Sequence, residues 1–345
     1  MPATILLLMK LRKATLITFL IRRNPFMSDT HNNLQHFPLP MFATTMGLSG
    51  LTLVSHKMEW MLGSDGLLFY ALAYLTLGVY IAILATYTMK SLRYPQAVLA
   101  DWNHPIKISF FPAASISLLL LGAVFYPINE RLSFFLWATG CLFQFILSMA
   151  IINSWINHAR YEIVHSTPAW FIPAVGNIIV PLVGVRHAPL ELSWFFFAWG
   201  ILFWIILLIL IINRLMFHNP MPQKLMPTLF ILLAPPSIGF VSYIQMTGEL
   251  DILGRLLYYW AAFFFCLLMS QVHRMVRIKF AMSWWAYTFP LAAFTSATLL
   301  MGQLTHLAFF AYLAQILYII TIVVIASLSV RTIIALFKCE VCVPD

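Results

Sequence analysis

Apolar and polar positions fall along this chain in long blocks rather than in the short alternation of a soluble fold. Uncharged apolar stretches run over approximately 37–55, 67–88, 108–126, 132–152, 168–185, 192–213, 225–248, 256–272, 280–303 and 305–330, and none contains Asp, Glu, Lys or Arg. Each is close to the roughly 20 residues that an α-helix needs to cross about 30 Å of hydrocarbon. Such runs are too long for strands, and they are apolar on every face, as a helix surrounded by lipid or other helices must be. The pattern predicts an all-α integral membrane protein with ten transmembrane helices.

Proline separates the ten stretches into two kinds. Pro38, Pro40, Pro112, Pro173, Pro181, Pro227, Pro235, Pro236 and Pro290 all lie in odd-numbered stretches, and the even-numbered ones contain none. For prolines scattered at random this segregation has odds on the order of 1 in 500, so it marks an internal repeat. One proline per odd stretch, at Pro40, Pro112, Pro173, Pro235 and Pro290, gives spacings of 72, 61, 62 and 55 residues, enough for two crossings with their loops. Five helical hairpins follow.

Because proline removes a backbone donor and displaces the carbonyl four residues earlier, it kinks a helix and leaves a polar group needing a partner. Lipid supplies none, so kinked helices belong against protein or water. The odd helices are therefore expected to form an inner ring, kinked at the five prolines, around a central pore. The straight even helices, with bulky runs such as Trp194, Phe195, Phe196, Phe197 and Trp199, suit an outer ring. Phe111, Ile172 and Ala234, which precede three of the five prolines, are candidates to line the pore.

Composition sharpens this picture. The chain is 62% hydrophobic and 9% charged, against about a quarter charged in soluble domains, which excludes a water-soluble fold. Its net charge of +9 is unevenly placed. Segments after even-numbered stretches carry Lys90, Arg93, Lys107, Arg160, Arg214, Lys224, Arg274, Arg277 and Lys279, whereas those after odd-numbered stretches carry only Lys57, Arg131, Arg186 and Arg255. Basic residues near helix ends stay on the cytoplasmic side, so both termini are expected there, in a multi-pass protein of the cell (inner) membrane. The positive charge thus reads as topology, and no nucleic-acid partner is expected.

Residues 1–36 are expected to be a cytoplasmic or interfacial tail, residues 37–336 one ten-helix membrane domain, and residues 337–345 a short cytoplasmic tail. The apolar segment 5–21 is interrupted by Lys10, Arg12 and Lys13 and lacks a small-residue cleavage site, which argues against a cleaved signal peptide.

Candidate chemistry is sparse. Gly47-Leu48-Ser49-Gly50 matches the motif around the nucleophile of rhomboid-type intramembrane proteases. A nucleophilic Ser49 needs a histidine base, for which His306 is the candidate, but small residues at this spacing ordinarily allow close helix packing. The ten histidines lie in loops, in the tail or at stretch edges, without the facing mid-membrane pairs that haem ligation needs. Cys339 and Cys342 form one CxxC, short of the four ligands of a zinc site. No metal, cofactor or enzymatic activity is expected. Proton-coupled carriers usually depend on buried acidic groups and voltage sensors on arginine; the stretches offer neither. What remains is a pore of bent helices, small residues, hydroxyls and aromatic rings. Positive half-helix N-termini and basic residues at the cytoplasmic mouth give it a modest preference for anions.

The stretch Ser283-Trp284-Trp285-Ala286-Tyr287-Thr288-Phe289-Pro290-Leu291 resembles the ninth-helix motif of plant slow-type anion channels. His104-Pro105 through Phe111-Pro112-Ala113, and Pro168-Ala169-Trp170-Phe171-Ile172-Pro173-Ala174-Val175-Gly176, resemble the bacterial tellurite-resistance TehA branch of the same family. That family also includes dicarboxylate and sulfite transporters. The resemblance extends over residues 37 to about 336. It implies five hairpins about a quasi-fivefold axis, one pore per subunit, a homotrimer in the lipid bilayer, and a phenylalanine gate at the position of Phe289. Without the resemblance, Phe289 would read as one of 29 phenylalanines packed in a bundle. Plant members carry long regulatory tails, whereas the tails here are expected to be short, so kinase control is not expected to carry over. The expected function is a passive, Phe289-gated pathway for small anions, with a dicarboxylate, tellurite or sulfite carrier as the alternative and a serine protease as a remote one.

Overall fold

In the computed structural model, which describes residues 34–342, every regular element among the described residues is helical. Most of the expected N-terminal tail and the last three residues of the C-terminal tail lie outside them. Twelve α-helices follow in order: α1 Phe42–Leu62, α2 Leu67–Arg93, α3 Pro95–Asn103, α4 Ala113–Phe125, α5 Glu130–Asn157, α6 Phe171–Val175, α7 Pro181–His187, α8 Leu190–Phe217, α9 Ala234–Thr247, α10 Ile252–Met275, α11 Thr288–Thr305 and α12 Ala308–Phe337. Short turns over residues 63–66, 126–129, 188–189, 248–251 and 306–307 join α1 to α2, α4 to α5, α7 to α8, α9 to α10 and α11 to α12.

Among the described residues, eight helical segments are long and apolar enough to cross a bilayer, and they fall into two burial classes. The apolar windows of Lys107–Phe125, Pro168–His187 and Gln223–Thr247 are 78–83% buried, whereas those of the long helices α2, α5, α8, α10 and α12 are 28–39% buried. The first group is cased in protein. The second turns most of its surface outward, where Phe135, Phe143, Ile209, Phe263 and Ile319 are exposed. Lipid is the medium in which such surface is stable. The molecule is thus a multi-span membrane protein. The remaining helices of the interior, α1 and α11, pack against each other; α1 also packs on α4, and α11 on α9.

The structure changes what the prolines do. The five repeat prolines do not bend the middle of a continuous α-helix. Each stands where a 3-10 lead-in gives way to α-helix: lead-ins Leu39–Met41, Lys107–Phe110, Pro168–Trp170, Gln223–Leu233 and Met282–Tyr287 precede α1, α4, α6, α9 and α11. Pro40 is in its lead-in and Pro112 is the cap of α4, while Pro173, Pro235 and Pro290 lie in the first turn of α6, α9 and α11. A missing N–H costs little in a first turn, where donors have no intrahelical acceptor.

The third inner segment is broken again, by the 3-10 stretch Gly176–Ile179 between α6 and α7. Carbonyls around this break are met by side chains from neighbouring helices. Gln144 Nε2 and Ser148 Oγ donate to Pro173 O at 3.1 and 2.5 Å, Trp137 Nε1 to Val180 O at 3.0 Å, and Ser242 Oγ to Ile178 O at 2.6 Å. Buried carbonyls without such partners would be costly.

Candidate functional site

The interior helices enclose a narrow cavity of about 70 Å³. Its wall comes from every proline-bearing segment in turn: Ala43 and Met46; Phe110, Ala113 and Ile116; Phe171, Ile172, Val175, Gly176 and Ile179; Ile231, Ala234, Pro235 and Ile238; Trp285, Ala286, Phe289 and Pro290. No residue of α2, α5, α8, α10 or α12 is part of it. The 3-10 to α transitions lie at this level, since Ala113, Phe171 and Ala234 are each the first residue of their α-helix and line the wall.

The wall carries no charged or hydroxyl side chain. Its one side-chain donor is turned away, because Trp285 Nε1 donates to Thr332 Oγ1 of α12 at 2.8 Å. Four rings, Phe110, Phe171, Trp285 and Phe289, thus meet an otherwise aliphatic space. A neck of this kind resists wetting, and an ion entering it must give up hydration. At the start of α4, Ala114 N–H donates to Phe111 O at 3.3 Å and Ile116 N–H to Pro112 O at 2.9 Å.

Phe289 is 7% exposed and sits in the first turn of α11. Behind it is α1 at very close range. A β-carbon on Gly50 would lie 2.8 Å from Ala292 Cβ and 3.5 Å from Phe289 Cδ2, and one on Gly47 would lie 2.1 Å from Thr288 Oγ1. The glycines of the Gly47-Leu48-Ser49-Gly50 motif thus set the distance between α1 and the segment that carries Phe289.

Of the residues singled out by sequence, Ile172, Ala234, Pro235, Phe289 and Pro290 meet at the cavity. Pro40, Pro112 and Pro173 are not part of its wall, and neither is Phe111. The Phe111 ring packs edge-on against Trp102 and Tyr87 at 5.0 and 6.3 Å, and its neighbour Phe110 faces the cavity instead. Proline spacing gave no signal for Met46, Val175 or Ile238, which lie six, two and three residues after Pro40, Pro173 and Pro235.

The protease pairing is not formed. Ser49 is fully buried and its hydroxyl has no hydrogen-bond partner among the described residues, while His306 is exposed at the end of α11. Cys339 and Cys342 are free thiols. No cluster of three or more potential metal ligands occurs among the described residues.

Fold and cavity define a multi-span helical membrane protein whose interior segments enclose an apolar cavity. The chain belongs to the voltage-dependent anion channel family, whose model matches residues 36–333. It is 28% identical over 273 residues to the S-type anion channel SLAH2 of Arabidopsis thaliana, covering 77% of this chain and 53% of the plant protein. It is 26% identical over 309 residues to the uncharacterized transporter MJ0762 of Methanocaldococcus jannaschii, covering 83% and 90% of the two chains. To the tellurite resistance protein TehA homolog of Haemophilus influenzae it is 25% identical over 276 residues, 78% of this chain and 83% of that one. The chain spans about half the length of the first plant relatives it matches.

Proposed function

We propose that this protein conducts small, weakly hydrated anions through a passage formed by five inner segments in quasi-fivefold array, with Phe289 as the gate. The observation that carries this reading is the cavity wall: all five proline-bearing segments contribute to it, none of the long outer helices does, and Phe289 and Pro290 stand in it together. Each inner segment and the outer helix after it then make one hairpin, ten crossings within residues 37–336. Both termini are cytoplasmic by the distribution of basic residues, in the cell membrane, and the functional unit is a homotrimer with one pathway per subunit.

Three features favour anions over cations: the names of the plant relatives, the net charge of +9, and a wall without an acidic side chain. Selectivity follows from the same wall. With no polar group to replace lost hydration, dehydration cost sets the order, so monovalent ions of low charge density pass most readily and divalent oxyanions least.

The test is current recording from the purified protein in planar bilayers under ionic gradients. Reversal potentials should follow the anion gradient, stay put when the cation is replaced, and rank nitrate above chloride and both above sulfate. Counterflow of labelled malate in proteoliposomes that requires malate on both sides would instead make the protein a carrier.

A further inference from the structure

At the end of the bundle where α4 turns into α5 and α7 into α8, a second, open pocket of about 480 Å³ is lined by Glu130, Arg131, Phe134, Phe135, Arg186 and His187. Its composition is unusual for its surroundings. Around the short turns at this end, six acids (Glu59, Asp65, Glu130, Glu191, Glu249 and Asp251) outnumber four basic residues (Lys57, Arg131, Arg186 and Arg255). Two of those four basic residues converge here. Neither guanidinium has an ion-pair partner among the described residues, although Glu130 lines the same pocket.

The floor is built. Ser133 Oγ donates its single hydrogen to Gly122 O at 2.6 Å, so its 2.8 Å bond with His187 Nε2 must be donated by the imidazole. That fixes the tautomer and leaves Nδ1 uncommitted. Rings of Tyr126, Phe134 and Trp137, 5.6–5.7 Å from the imidazole, hold it in place. On the outward side, Phe134 and Phe135 are 42% and 67% exposed on α5, one of the helices whose surface faces lipid.

We infer that this pocket binds the headgroup of an anionic glycerophospholipid, of the phosphatidylglycerol type. Arg131 and Arg186 present the planar donor forks that suit a phosphate. Glu130 accepts hydrogen bonds from headgroup hydroxyls, and Phe134 and Phe135 meet the upper acyl chain. Basic pockets between spanning helices bind anionic headgroups on the cytoplasmic side of membranes; here the same chemistry is presented to the opposite leaflet. The lipid would hold the end of α7 against the start of α5, and α7 continues from the broken segment whose Val175, Gly176 and Ile179 line the central cavity.

The full chain, purified and delipidated in detergent, is titrated with mixed micelles containing phosphatidylglycerol or phosphatidylcholine. Bound lipid is counted by native mass spectrometry, and stability is read from tryptophan fluorescence on heating. The unaltered protein should retain phosphatidylglycerol selectively and unfold at a higher temperature with it. Retention should weaken about fivefold for each arginine removed in Arg131→Gln and Arg186→Gln. Arg274→Gln with Arg277→Gln, exposed at the other end of the bundle, should leave retention unchanged. Equal retention by the Arg131→Gln/Arg186→Gln double variant overturns the site, as does an equal loss in the Arg274/Arg277 control. Stabilisation by millimolar inorganic phosphate alone, abolished by the same arginine changes, overturns the lipid in favour of a free anion.

Discussion

Gly47 of α1 and Thr288 of α11 approach so closely that a β-carbon on residue 47 would fall 2.1 Å from Thr288 Oγ1 and 2.6 Å from Thr288 Cβ. Neither atom can yield easily, because Thr288 Oγ1 is bound to Trp285 O at 2.7 Å and Cβ is fixed by the backbone. The contact lies one residue from Phe289, so α1 is a template for the segment proposed to close the pathway.

Gly47→Ala should therefore destabilise the protein by about 1–3 kcal/mol, the usual cost of overpacking. Gly78→Ala in α2, where nothing lies within 4 Å of the added carbon, should be neutral or stabilising by up to about 1 kcal/mol through helix propensity. Thermal unfolding of the two variants side by side checks this. Equal behaviour would mean that α1 and α11 are farther apart than described.

The broken third segment gives a test by non-additivity. Pro173 O accepts from both Gln144 Nε2 and Ser148 Oγ, so either donor alone still satisfies it. Gln144→Leu with Ser148→Ala leaves a buried carbonyl unpaired and should cost more than the sum of the single changes by about 1 kcal/mol, within the usual coupling range. A double-mutant cycle on unfolding reads the difference. Strict additivity would show that the carbonyl is satisfied in some other way.

A buried ion pair fixes the entry to α1. Lys90 Nζ binds Asp101 Oδ2 at 2.7 Å and Phe37 O at 2.9 Å, with the two side chains 3% and 14% exposed. Asp101→Asn leaves the buried ammonium without a counter-charge, and Lys107, 3.4 Å from the same carboxylate, loses that ion pair too; the change should cost about 3–5 kcal/mol, whereas Lys90→Met with Asp101→Asn should recover much of that loss. Expression level and unfolding temperature of the three proteins decide it. A double variant no better than Asp101→Asn would contradict the account.

One pH dependence follows from a helix cap outside the spanning segments. Asp251 accepts from Gly254 N–H at 2.8 Å and from the Tyr243 hydroxyl, and these bonds hold its carboxyl below the ordinary value of 3.8. A depressed folded-state pKa contributes stability that is fully present above the unfolded value and is lost as pH falls through the folded one. The unfolding temperature should therefore drop more steeply below about pH 3.8 in the unaltered protein than in Asp251→Asn. Parallel curves would remove this carboxylate as the cause.

What could be read in advance was what depends on hydrophobic length and on proline. Uncharged runs located the helices, and the segregation of Pro112, Pro173 and Pro235 marked segments that are about four-fifths buried. What proline does locally was not legible, because α and 3-10 helix share apolar composition and differ only in which carbonyl each N–H meets. That difference decides which ring faces inward. A 3-10 lead-in turns about 120° per residue rather than about 100°, and Phe110, not Phe111, reaches the cavity. Lys90 and Arg214 fell by sequence just beyond the apolar stretches, yet both are buried in the last turn of α2 and α8. Those helices have 27 and 28 residues, roughly 40 Å of length, and outrun the hydrocarbon that defines a span. The pocket around Arg131 and Arg186 joins residues 55 positions apart and has no sequence signature.

The most direct measurement is the anion conductance of Phe289→Ala against the unaltered protein, in planar bilayers at matched amounts of folded protein. If the Phe289 ring closes an apolar passage, its removal should raise the current roughly tenfold or more, the ratio that about 1.4 kcal/mol of closure represents. The unfolding temperature should meanwhile fall by no more than other large-to-small core changes. An unchanged current from folded Phe289→Ala protein would contradict the account.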